Sequence, residues 1–249
     1  MTGANLGAQA EILKLARALG TAPGRFTYLE QVDPRDLQLL REQVTDVLFD
    51  TNLAVLQRMA LASKLLPSPI LAKIAESVFG PLLCARVAGV VDTSRGIDVA
   101  KRLSPGFLAD VSVQLDPRHS SEIIAGIPAQ TVAAVAGELT RREDWITIGR
   151  FVGHLPDATV SASLEAIPNR ALLQVVFVLD DKSRLDHIVG LLPRPRFDSL
   201  MQTAAEHDLW SPMLDLLNHL EPGKRAALAA RFAELPEDQR ARAPQSMIK

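Results

Sequence analysis

The chain has 249 residues, 47% hydrophobic and 22% charged, with a formal net charge of -2, enough apolar material for a sizeable core or a repeat array. Near-neutral charge excludes a nucleic-acid surface as the main role, since phosphate binding needs concentrated Lys and Arg, and aromatics at 4% remove the stacking platforms for single strands. One cysteine excludes an internal disulfide, no basic region precedes an apolar core near the start, and no apolar run reaches the roughly 18 to 20 residues of a membrane helix; the expected location is cytoplasmic, without membrane insertion.

In chain order, Ile12, Leu13, Leu15, Ala16 and Leu19 predict a helix over 8–19. Two glycines and Pro23 make 20–33 a loop. Asp33-Pro34, a cap-like pair, opens a helical section through Leu37, Leu39, Leu40, Val44, Val47, Leu48 and Phe49. A further amphipathic helix over 52–66 is stopped by Pro67-Ser68-Pro69. These helices are longer than those that follow. Residues 1–66 are therefore expected to form an N-terminal cap or an oligomerisation element.

A different rhythm begins at Phe79. Phe79, Val91, Leu103, Leu115, Ile127 and Leu139 are spaced by twelve, and after a sixteen-residue step so are Leu155, Ile167 and Leu179. Within a unit the apolar offsets are five, eight, nine and twelve, as in Ile167, Leu172, Val175, Val176 and Leu179. From the first offset on, that is one helical stripe. A helix of roughly ten residues is marginal alone, so neighbouring units must bury one another. Pro81, Pro105, Pro117, Pro128, Pro156, Pro168, Pro193, Pro222 and Pro236 follow the anchors and both end one helix and start the next. Ser104 and Asp116 read as N-caps, as do Asp157 and Asn169 one position after their prolines.

The fold class is thus all-α, a superhelical array (α-solenoid) of short helices over 67–236, with 237–249 as a frayed tail. Matches forty residues apart, such as Leu115 with Leu155, suggest three helices per superhelical unit. Two irregularities stand out. Thr140 with Glu143 has the capping-box pattern that would start a helix early, and the stripe slips by one residue after Leu179.

Little in the sequence carries chemistry. His119, His154, His187, His207 and His219 show no metal-binding pair, Cys84 sits at a core offset, and nucleophile-elbow, phosphate-loop and dinucleotide motifs are missing. Neither an enzymatic activity nor a cofactor is expected. Asp180, Asp181 and Asp186 are the densest carboxylates of the array and offer oxygen ligands for a divalent cation, or act as first-turn acids. Trp145, beside Arg141 and Arg142, and Trp210 stand in irregular units, either as partner-binding anchors or as plugs for gaps.

The units Leu115-Asp-Pro-Arg-His-Ser-Ser-Glu-Ile-Ile-Ala-Gly-Ile-Pro and Leu155-Pro-Asp-Ala-Thr-Val-Ser-Ala-Ser-Leu-Glu-Ala-Ile-Pro carry a resemblance. Over 103–235 the chain resembles the short-helix superhelix of the cytoplasmic N-terminal domain of MgtE-type magnesium transporters, itself similar in shape to the flagellar motor switch protein FliG. No paired CBS domains or membrane segment follow, and the charged torque domain of the flagellar protein is missing, so neither transport nor torque generation is expected. The resemblance implies contact with other proteins and assigns no site residue. The expected function is a non-enzymatic protein-interaction or scaffold protein with a protein partner, another copy of the chain included. The alternative is a cytosolic regulator sensing a divalent cation such as magnesium through Asp180, Asp181 and Asp186.

Overall fold

A computed structural model describes residues 6–50 and 53–244, leaving aside the side chains of 48–50. The expected stripe positions Leu48 and Phe49, Asn52 and the tail at 245–249 lie outside the described residues. All regular elements among the described residues are helical. The first are α1 (Leu6–Ala18), α2 (Pro34–Asp50) and α3 (Leu53–Ser63). Shorter ones follow: α4 (Ser68–Ile74), α5 (Gly80–Ala88), α6 (Thr93–Ala100), α7 (Pro105–Gln114), α8 (Ser121–Gly126) and α9 (Ala129–Arg141). The rest are α10 (Trp145–Val152), α11 (Asp157–Ala166), α12 (Asn169–Phe177), α13 (Leu185–Gly190), α14 (Arg194–Asp198), α15 (Leu200–Glu206), α16 (Trp210–His219), α17 (Pro222–Glu234) and α18 (Glu237–Arg240). None is long and apolar enough to cross a membrane.

Local chemistry explains the boundaries. Ser104 accepts from the Phe107 backbone N–H at 3.4 Å and Asp116 from that of Arg118 at 3.0 Å, both as N-caps. Asp157 and Asn169, expected as caps, are instead the first residues of α11 and α12, behind Pro156 and Pro168. Already inside the helix, they turn to neighbours: Asp157 Oδ2 meets His187 Nε2 at 2.8 Å, and Asn169 Nδ2 donates to Ser199 Oγ at 2.8 Å. The expected helix start at Thr140 is a helix end. There α9 runs on to Arg141, Glu143 takes a left-handed φ of 56°, and Asp144 caps α10 by accepting from Thr147 N at 3.2 Å. Asp208, with φ 55°, reverses the chain in the same way two residues before Trp210.

Packing follows an alternating rule: α3 meets α5, α4 meets α6, α5 meets α7, α6 meets α8, α7 meets α9, α9 meets α11 and α10 meets α12. Further on, α12 is covered by α15 and α16, and α15 by α17 and α18. One core cluster runs from Ala85 to Ala243, so part of the expected tail is helical and packed. A smaller cluster of Ala8, Ile12 and Leu37 joins α1 to α2, with Phe26 and Leu29 from the expected loop packed on it. At Gly149 the backbone of α10 comes close to the end of α12: a Cβ there would lie 2.9 Å from the Val178 carbonyl oxygen.

Candidate functional site

The residues singled out in the sequence fall in separate places. Arg141, Arg142 and Trp145 share the α9–α10 corner. Arg141 is exposed and donates to Glu138 at 2.7 Å; Arg142 reaches Glu138 at 2.8 Å and Asp110 at 2.5 Å, tying α9 to α7. Hydrogen bonds from Arg141 and then Arg142 hold the Glu138 carboxyl down at about 2. Trp145 is half-buried against the core. Trp210 requires a correction as a surface anchor: it is 4% exposed, edge-on to Phe232 with ring centroids 6.2 Å apart. The α17 helix covers it, so it acts as a plug.

The three aspartates do not converge either. Asp180 accepts from Lys14 at 2.7 Å and Arg41 at 3.2 Å; Asp181 accepts from Ser183 N at 3.0 Å; Asp186 accepts from Glu221 N at 2.9 Å and Lys224 at 2.6 Å. Each is engaged by its own partner. Among the described residues, the His/Cys/Asp/Glu group close enough to share a cation is Asp46, Asp116 and His119, with ligand atoms within 4.8 Å of one another. Arg118 already bridges Asp46 at 2.8 Å and Asp116 at 2.6 Å, so a guanidinium occupies the cation's role there.

Sequence reasoning missed the ionic joint between α1–α2 and the rest. Buried Lys14 pairs with Glu11 and Asp180, and buried Arg41 reaches Glu11 at 3.0 Å and Asp180 at 3.2 Å. Arg17 adds a pair with Asp144. Burial works to raise the Asp180 pKa, but Lys14 and Arg41 outweigh it and the carboxyl lies below its usual value. The signal was present: Glu11 is i+3 from Ala8 and Arg41 is i+4 from Leu37, charges at apolar-stripe positions.

Two apolar features had no sequence forecast. The first is a surface. Among the described residues every exposed large hydrophobic lies between Leu19 and Leu82, with Leu65 84%, Val78 72% and Val47 69% exposed. The second is a cavity of about 350 Å³ lined by side chains from every helix from α3 to α13. Its walls are almost wholly aliphatic. Cys84 lines it, and burial pushes the thiol up to about 11, so little of it is thiolate near neutral pH.

No known family model matches the chain, and no curated protein or solved structure is measurably similar to it. The geometry alone carries the functional argument.

Proposed function

We propose that this is a non-enzymatic interaction protein of the cytoplasm that docks a protein partner, another copy of the chain included, on the apolar face of α2–α5. The observation that carries the reading is the confinement of exposed large hydrophobics to 19–82, while later helices expose none among the described residues. Apolar surface concentrated in one part of a chain marks an interaction site, because leaving it in water is costly. The Arg141–Arg142–Trp145 corner supplies a second, more polar contact face; half-buried Trp145 is its anchor. The alternating helix contacts support a solenoid architecture, and the leucine and proline spacing supports kinship with MgtE N-terminal domains.

Site-specific photo-crosslinking tests the proposal. A photoreactive residue at Leu65 or Val78 is expected to trap a defined protein at one-to-one stoichiometry in native cells, while the same group at Ala229 traps none. Leu65→Glu with Val78→Glu should abolish the adduct. Equal trapping at Ala229, or an adduct that survives both glutamates, would sink the docking face.

A further inference from the structure

The cavity is the feature that the interaction reading leaves unused. At about 350 Å³ it lies within the roughly 300–1,000 Å³ range of small-molecule sites. Its lining passes from Met59 on α3 to Ile188 on α13. Water is a poor occupant, because each buried water needs about two to four polar partners and these walls are aliphatic. A flexible hydrocarbon chain matches both the volume and the chemistry.

The lining contains one charged residue, Arg95. Its Nη1 donates to Ser68 Oγ at 2.7 Å, and its Nη2 to the carbonyls of Ser63, at 2.7 Å, and Leu66. Its Nε is buried and has no hydrogen-bond partner among the described residues. All three acceptors are neutral, and among the described residues the guanidinium makes no direct ion pair; the Asp98 carboxylate is reached only through Ser68, which bonds to it. The Ser120 hydroxyl also lines the cavity, buried and without a hydrogen-bond partner among the described residues, at the start of α8, which packs on α6 where Arg95 lies. An unpaired buried N–H and O–H are costly until an acceptor arrives, and a guanidinium bonds most strongly to an anion.

We infer that the cavity binds one long-chain carboxylic acid, with its hydrocarbon chain along the aliphatic walls and its carboxylate accepting from Arg95 Nε and facing Ser120. The cavity volume suits one chain rather than the two of a phospholipid. The inference does not rest on the protein-docking face, although Phe79 belongs to both that face and the cavity wall.

The full chain, stripped of bound lipid, is titrated with the fluorescent fatty acid cis-parinaric acid, then with palmitic acid and hexadecan-1-ol as competitors. One probe per chain, displaced by palmitic acid, is expected. Arg95→Met should weaken palmitate about tenfold, the worth of one charged hydrogen bond, and leave hexadecan-1-ol nearly unchanged. Ala88→Phe, which fills the cavity, should weaken both. Melting curves show which variants fold; should Arg95→Met fail, the wild-type preference for palmitate over hexadecan-1-ol decides the headgroup assignment. The sole cysteine gives an independent reading, since palmitate in the cavity should slow maleimide labelling of Cys84. No saturable binding by the wild type would overturn the inference. So would binding lost in Leu65→Glu but kept in a folded Ala88→Phe, which moves the ligand to the surface. Equal affinity for the acid and the alcohol removes the role of Arg95.

Discussion

Around α5–α9, Cys84, Val87, Val99, Leu103 and Val135 remain half-exposed about a cavity; around α12–α17, Leu173, Leu200, Met213, Leu216 and Leu228 lie away from it and are completely sealed. Both regions have short helices ended by prolines, so helix length does not separate them. Side-chain volume does. The first region sets Ala88, Ala100 and Ala136 beside Leu103, Leu108 and valines around the space, whereas the second, which also buries Ala171, Ala204 and Ala205, adds Met201, Met213, Phe197 and Trp210. A close-packed interior needs atoms to fill it, and alanines leave the space that the proposed ligand would take.

The sharpest test of this contrast is a pair of truncations. Leu200→Ala is expected to cost about 3–4 kcal/mol, and Leu103→Ala, which lines an existing space, less than about 2 kcal/mol. Urea denaturation of both variants measures the difference; equal costs would mean that the two interiors are equally packed. Next comes the joint between the N-terminal helices and the sealed region. Asp180→Ala leaves buried Lys14 and Arg41 short of a counter-charge and should cost about 3 kcal/mol at pH 7. Because the Asp180 carboxyl lies below its usual value of 3.8, its contribution is complete above that pH. It is lost as pH falls through the lower folded value, so the gap between wild type and variant should narrow on acidification below about 4, followed by melting at stepped pH.

A glycine pair probes the same contrast at the backbone. Gly149→Ala would press a methyl group against the Val178 carbonyl and should cost about 2 kcal/mol, whereas Gly137→Ala meets nothing within 4 Å and should stabilise α9 by about 0.5–1 kcal/mol. A gain from both variants in thermal melts would show that α10 and α12 are not in close contact. An effect as small as that of Gly137→Ala is expected from Ala136→Leu, which fills part of the cavity and should add about 0.5–1 kcal/mol. A loss of stability there would show that the wall is already closed.

Much of this was legible from one sequence because a helix reports itself locally. The anchor spacing and prolines located α7, α8, α11 and α12, and Ser104 and Asp116 cap as their residue types suggest. What failed were choices between two uses of one residue. Thr140 with Glu143 matches a capping box, yet Glu143 enters the left-handed region and Asp144 takes the cap. Trp210 suits a surface anchor as well as a plug until Phe232, in another helix, covers it.

The same limit governs the candidate sites. Asp180, Asp181 and Asp186 look alike in the sequence but are separated by Lys14 and Arg41 from distant helices, by Ser183 in the same turn, and by Lys224 from α17. The sequence by itself determined that the described residues are helical, where most of the helices turn, and that the short helices are apolar on one face, because these follow from periods of a few residues and from proline's missing N–H. Only the tertiary structure decided which charges meet, which hydrophobics stay in water, and that side chains from many helices leave one space lined by Arg95. Those are sums over residues far apart in the chain, and no local pattern records them.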